Sequence, residues 1–159
     1  MQMTETIRVM IVDDSEDTRE SVRLLLGFSG IVEVVAEAEN GLVALEKLTH
    51  IRVDVVIMDV NMPEMDGITA TTQMQQTYPQ VAVVILSAEA FPEDLAQGFA
   101  AGAHSYLRKP VSAEALIAAV KDAHRASTLT KWRLSRRFVH EKTTRAVRVQ
   151  PMYSLRDPD

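Results

Sequence analysis

The sequence predicts an α/β domain in which a doubly wound parallel β-sheet carries helices on both faces. Two patterns lead there. Five short, largely apolar runs rich in β-branched residues alternate with five segments of helical apolar spacing, and most of the runs are apolar at nearly every position, as strands buried on both faces are. In addition, Asp13-Asp14, Asp59, Ser87 and Lys109 each follow such a run. In a parallel sheet all of them collect at the carboxyl edge, where open sheets of this kind build their sites.

Taken in order, Ile7 to Val12 (IRVMIV) is too short for a helix and reads as a buried strand. Asp14 or Ser15 then caps a helix with Val22, Leu25 and Leu26 on one face, ended by Gly27 or Gly30. Val32 to Ala36 is the second strand, and Asn40-Gly41 turns into a short helix bearing Leu42, Leu45 and Leu48. Asp54 to Met58 is the third strand. Asn61-Met62-Pro63 breaks the chain before a helix from about residue 65 to Tyr78, which Pro79 stops. Val81 to Leu86 (VAVVIL) is the fourth strand, and the following helix, about 90 to 101, carries Pro92 in its first turn. His104 to Leu107 is the fifth strand, after which Ser112 caps a helix with Leu116, Ala119, Val120 and Ala123 at helical spacing.

At 159 residues the chain is about one domain long. It has no cysteine, which excludes disulfides and thiolate metal sites. No run approaches the ~18 apolar residues of a membrane span, so the expectation is a cytoplasmic protein without a membrane partner. The formal charge of −5 is unevenly spread: residues 1–127 carry 9 Lys+Arg against 19 Asp+Glu, and residues 128–159 carry 8 against 3. The expected organisation is therefore an acidic domain over 1–127 and a basic tail over 128–159 with no independent fold. Within that tail, Thr143 to Val149 alternates weakly like an exposed strand.

Each site residue has an ordinary reading by itself. An acidic pair at a strand–helix junction caps the helix and complements its dipole; an aspartate, serine or lysine at a strand end is commonly a turn or solvated residue. Together they have another. Three carboxylates at one edge suit a hard divalent cation such as Mg²⁺, which takes oxygen ligands. His50, His104, His124 and His140 share no metal-ligand spacing.

From about Ile7 to Arg125 the chain resembles the receiver domain of two-component response regulators. The resemblance rests on the acidic pair, Asp59 with the loop Asn61-Met62-Pro63-Glu64-Met65-Asp66-Gly67, Ser87 with Ala88, and Lys109-Pro110, in that order after strands one, three, four and five. It implies the flavodoxin-like strand order 2-1-3-4-5 and makes Asp59 the phosphoacceptor. Asp13, Asp14, Asp59 and the backbone carbonyl of Asn61 would hold Mg²⁺, with Asp13 acting largely through a bound water. Ser87 would hydrogen-bond a phosphoryl oxygen, and Lys109 would face Asp59 and then the phosphoryl group. Pro110 falls where the family commonly has a cis bond. Tyr106, three residues before Lys109, matches the switch aromatic that turns inward when Ser87 moves.

The function this implies is a phosphorelay switch. A histidine kinase or histidine phosphotransfer protein is the expected donor, and a downstream protein would read the face made by the fourth helix, fifth strand and fifth helix. Dimerisation is compatible with that scheme. The alternative is a DNA-binding response regulator that uses the basic tail or a truncated output domain. An enzyme acting on outside substrates is not expected: aspartyl-nucleophile phosphatases carry a second aspartate two residues after the nucleophile, where this chain has Asn61.

Overall fold

The computed structural model describes residues 5–148, with side chains through residue 133. Five strands, β1 (Ile7–Val12), β2 (Val32–Ala38), β3 (Val55–Met58), β4 (Ala82–Ser87) and β5 (Ser105–Arg108), form one parallel sheet in the order β2-β1-β3-β4-β5. Between and after them run α1 (Glu16–Gly27), α2 (Gly41–Leu48), α3 (Gly67–Thr77), α4 (Pro92–Ala101) and α5 (Ala113–Arg148). The central strands β3 and β4 are buried at every position because both faces of the sheet are covered.

One side chain in two along each strand feeds each face. Met10, Val12, Val56, Met58, Val83 and Ile85 pack with Ala44 of α2 and Met74 of α3. Val9, Ile11, Val55, Ile57, Val84 and Leu86 pack on the other side with Val22 and Leu26 of α1 and Leu116, Val120 and Ala123 of α5. At roughly 1.5–3 kcal/mol per fully buried aliphatic side chain, these two layers dominate the favourable side of folding.

Local chemistry sets the helix starts. The Ser15 hydroxyl accepts from the Thr18 amide, the Asn40 side chain from the Val43 amide (2.9 Å), the Asp66 carboxylate from the Thr69 amide (2.9 Å) and the Ser112 hydroxyl from the Ala115 amide (3.1 Å). Gly102 ends α4 at φ 106°, a left-handed conformation that a side chain would strain.

Three expectations change. Leu42 does not join the core and is 54% exposed; α2 turns Ala44 inward in its place, beside the expected Leu48. The second strand runs two residues further, to Ala38, because its last residues still pair with Ile11 and Val12. The largest change is at the C-terminus, where α5 continues without interruption to Arg148. Residues 143–148 are therefore helical rather than strand-like, and Val149 lies outside the described residues. Between Ala113 and Arg148 there is neither glycine nor proline, so nothing in the backbone chemistry stops the helix where the apolar period fades. Nor does residue 127 end the packing: the Ser127 hydroxyl donates to the Gln80 carbonyl, and the Lys131 ammonium reaches the buried carboxylate of Asp54 at 3.3 Å. Among the described residues no helix is long and apolar enough to cross a membrane.

Candidate functional site

The sheet delivers the acidic residues to one edge. The Asp59 amide donates to the Val12 carbonyl (2.9 Å) and the Asp13 amide to the Ala38 carbonyl (3.0 Å), so each residue continues the ladder one step past its strand before turning away. As a result Asp13, Asp14 and Asp59 each place a carboxylate oxygen within 4.8 Å of the other two. Asp13 and Asp59 are buried, whereas Asp14 is exposed and opens the cluster to solvent.

Lys109 closes the cluster. Its backbone amide donates to the Ser87 carbonyl (2.8 Å), and the Lys109-Pro110 bond after it is cis. Its ammonium donates to Asp13 Oδ2 at 2.8 Å and lies 3.6 Å from Asp59 Oδ1. Asp13 is further fixed by the Ser15 amide on Oδ1 (2.9 Å), and Asp59 by the Val60 amide on Oδ1 (2.9 Å).

Burial pushes the Asp59 carboxyl above its ordinary value, and the neighbouring charge of Asp13 adds to the rise. Lys109 and the Val60 amide oppose it without cancelling it. The donor set is all oxygen, held by an ammonium that a cation can displace from Asp59. That suits a hard, six-coordinate ion better than a zinc site, which favours nitrogen or sulfur.

The backbone comes equally close. Gly67, at the start of α3, donates its amide to the Val60 carbonyl (2.8 Å), and a Cβ there would stand 1.9 Å from the Asp59 carbonyl oxygen. Only glycine lets the loop after β3 fold back under the acid. Glu64, in the same loop, has φ 66°.

Ser87 is 1% exposed at the end of β4, and its hydroxyl accepts from the Glu89 amide at 3.3 Å. Tyr106 packs its ring against Gly98 of α4, where a Cβ would meet Cδ2 at 2.8 Å, and its hydroxyl donates to the Glu89 carbonyl at 2.6 Å. Serine and tyrosine thus grip the same β4–α4 loop. Burial raises the Tyr106 hydroxyl pKa, an effect that Ser87 opposes and Asp94 and Glu89 reinforce. Asn61 is exposed on the β3–α3 loop. Every residue expected at the site lies at this edge, and the structure adds one, Arg19 of α1, whose guanidinium donates to the Asp13 carbonyl at 2.7 Å. A single arginine inside an amphipathic helix gave no sign of that contact.

Known proteins share the fold. Residues 9–121 match the model of the response regulator receiver domain. The transcriptional regulatory protein DegU of Brevibacillus brevis is 39% identical over 115 residues, which is 72% of this chain and 49% of DegU. The response regulator protein VraR of Staphylococcus aureus is 33% identical over 124 residues, 78% of this chain and 59% of VraR. The chain thus spans about half the length of the curated relatives it matches. Among solved structures, the receiver domain of the putative response regulator NarL from Mycobacterium tuberculosis superposes with a TM-score of 0.73 at 33% identity, covering 76% of this chain and 98% of that one. With a family match across most of its length and the same fold in its solved relatives, this chain belongs to the receiver domains of two-component response regulators.

Proposed function

We propose that Asp59 accepts the phosphoryl group in this domain and that its phosphorylation operates a conformational switch. The observation that carries the proposal is the placing of Lys109 across two buried acids, 2.8 Å from Asp13 and 3.6 Å from Asp59. An ammonium so placed masks the charge of a carboxylate that must approach an anion. Response regulators take their phosphoryl group from histidine kinases or phosphotransfer proteins, and we assign the same class of donor here. An Asp59 oxygen attacks phosphorus, an O–P bond forms as the P–N bond of phosphohistidine breaks, and the imidazole nitrogen leaves with the bonding pair and takes a proton.

Receiver domains generally bind Mg²⁺ at an acidic pocket. Here Asp13, Asp14, Asp59 and the Asn61 carbonyl are the residues that would hold it. An ion held there would offset carboxylate charge and supply electrostatic stabilisation for the phosphoryl group. The Ser87 hydroxyl then meets a phosphoryl oxygen, which draws on the loop it shares with Tyr106 and alters the face made by α4, β5 and the start of α5. That face is the one a downstream protein would read. We further propose that the domain acts on its own phosphoryl group rather than on outside substrates, since Asn61 offers no acid to speed turnover.

Intact mass after incubation with Mg²⁺ and acetyl phosphate tests the acceptor: the native chain gains one phosphoryl group and Asp59→Asn gains none. Equal, Mg²⁺-dependent labelling of the variant would place the acceptor elsewhere. A second reading is favoured by one observation, the continuation of α5 to Arg148 through a stretch of net positive charge. Such a helix suits phosphate backbones, and a base-dependent footprint is what would establish nucleic-acid recognition beyond salt-sensitive attraction.

A further inference from the structure

Asp14 is the exposed member of the acidic cluster, and among the described residues its carboxylate accepts no hydrogen bond. Its direction is therefore set by its backbone, beginning with the peptide plane that joins it to Asp13. One side chain grips that plane. Arg19, about one turn into the adjoining helix, donates from Nη1 to the Asp13 carbonyl oxygen at 2.7 Å.

The arginine is itself clamped from the neighbouring strand. Its Nε lies 3.3 Å from Glu37 Oε1, an ion pair without hydrogen-bond geometry, and its side chain is only 17% exposed. Glu37, near the end of β2, is also held by the Arg23 guanidinium, and its backbone carbonyl accepts from the Lys47 ammonium of α2. Together these contacts tie α1, β2 and α2 into a bracket that ends on one peptide carbonyl. Surface ion pairs alone contribute little to stability, at about 0–1 kcal/mol each, so the bracket matters more for what it aims than for what it stabilises.

We propose that Arg19 is a positioning residue for the divalent cation: it fixes the Asp13–Asp14 peptide plane and thereby points the Asp14 carboxylate into the cluster. The inference rests on the reading of Asp13, Asp14 and Asp59 as metal carboxylates, and its test separates the two.

The sign of the effect is diagnostic. Arg19 carries a positive charge near a cation site, so through charge alone its removal would tighten Mg²⁺ binding; through lost positioning it weakens it. Partners of this kind behind a metal ligand are typically worth ~10–100-fold in affinity, and we expect about tenfold weaker binding for Arg19→Met and Arg19→Gln. Calorimetric titration of Mg²⁺ into the full chain measures this directly. With acetyl phosphate, the Mg²⁺ concentration for half-maximal labelling of Asp59 should rise by the same factor while the plateau rate stays native.

A merely structural role would lower the urea midpoint and leave the Mg²⁺ affinity unchanged. Native or tighter affinity in either folded variant overturns the proposal. Asp14→Ala provides the separation: if it binds Mg²⁺ as the native chain does, the metal reading itself has failed, whereas loss there with native affinity at Arg19→Met refutes only the positioning role. In the unaltered chain, the Arg19 guanidinium NMR signals should shift along the same Mg²⁺ titration curve as the Asp14 amide. Signals that ignore the ion also overturn it.

Discussion

Replacing Asp59 by asparagine should stabilise the domain without Mg²⁺ and cost it the stabilisation that Mg²⁺ confers. At an effective dielectric of ~20, like charges at the 4.8 Å limit seen between the carboxylates repel by about 3.5 kcal/mol, and the 3.6 Å approach of Lys109 attracts by about 4.6 kcal/mol. Asp14 faces solvent, so its repulsion falls to about 1 kcal/mol at the dielectric of water. Because 4.8 Å is the upper bound on those separations, the Coulomb contributions cancel at best and otherwise add to the penalty. What remains is the dehydration of a carboxylate only 9% exposed, on the order of 2 kcal/mol once the Val60 hydrogen bond is set against it.

The variant keeps that hydrogen bond through its amide oxygen and sheds the charge. Urea unfolding in chelator should therefore give Asp59→Asn a higher stability by about 1–2 kcal/mol. The pH dependence has a definite sign. Because the folded-state pKa lies above the ordinary 3.8, the folded chain holds its proton longer. The penalty is absent below pH 3.8, appears as pH rises through the folded pKa and is complete above it. The variant's advantage should shrink accordingly as pH falls. Mg²⁺ at a hundred times its dissociation constant for the native chain stabilises that chain by about 2.7 kcal/mol and leaves the variant, which lacks one carboxylate ligand, nearly unchanged, so the order reverses. No gain in chelator, or a gain that persists undiminished at low pH, would refute this account of the site.

Other perturbations have equally direct readings. Gly67→Ala drives a Cβ toward the Asp59 carbonyl, at 1.9 Å in the present backbone, and should cost more than about 3 kcal/mol in urea unfolding or abolish Asp59 labelling; a folded variant with native labelling contradicts the close approach. Asp66→Ala removes the cap of α3 and should cost about 1 kcal/mol. Although burial works against it, the hydrogen bonds that Asp66 accepts lower its pKa, so its contribution is present above pH 3.8 and fades as pH falls through the lowered folded value; the cost of the variant should fade with it. A chain ending at residue 127 loses the Lys131 contact to Asp54, which is 1% exposed, and should be about 1–2 kcal/mol less stable than one ending at residue 133; equal urea midpoints would make that ion pair irrelevant. Tyr106→Phe releases the Glu89 carbonyl and should leave Asp59 labelling intact while reducing phosphorylation-dependent NMR shifts in α4.

The sequence by itself determined the five strand–helix units, because Ile7–Val12 and Val81–Leu86 are short β-branched runs and Ser15, Asn40 and Ser112 are local caps. It also determined the order in which the site residues arrive, since each stands beside a strand end. Strand order and site geometry came from pairing between distant segments: nothing near Asp59 states that it lies beside Asp13, and only the placing of β3 next to β1 brings them together. Tertiary structure likewise decided that Leu42 faces solvent, because α2 sits on the sheet through Ala44 and Leu48. The length of α5 is not written in the apolar pattern for a related reason. An apolar period shows where a helix is packed, not where it ends, and residues 128–148 keep a helical backbone past the last core position with no glycine or proline to break it. Arg19 was hidden most completely. Its carbonyl partner is six residues away and its carboxylate partner is on the adjacent strand, and a hydrogen bond to a backbone oxygen leaves no mark in the pattern of side chains.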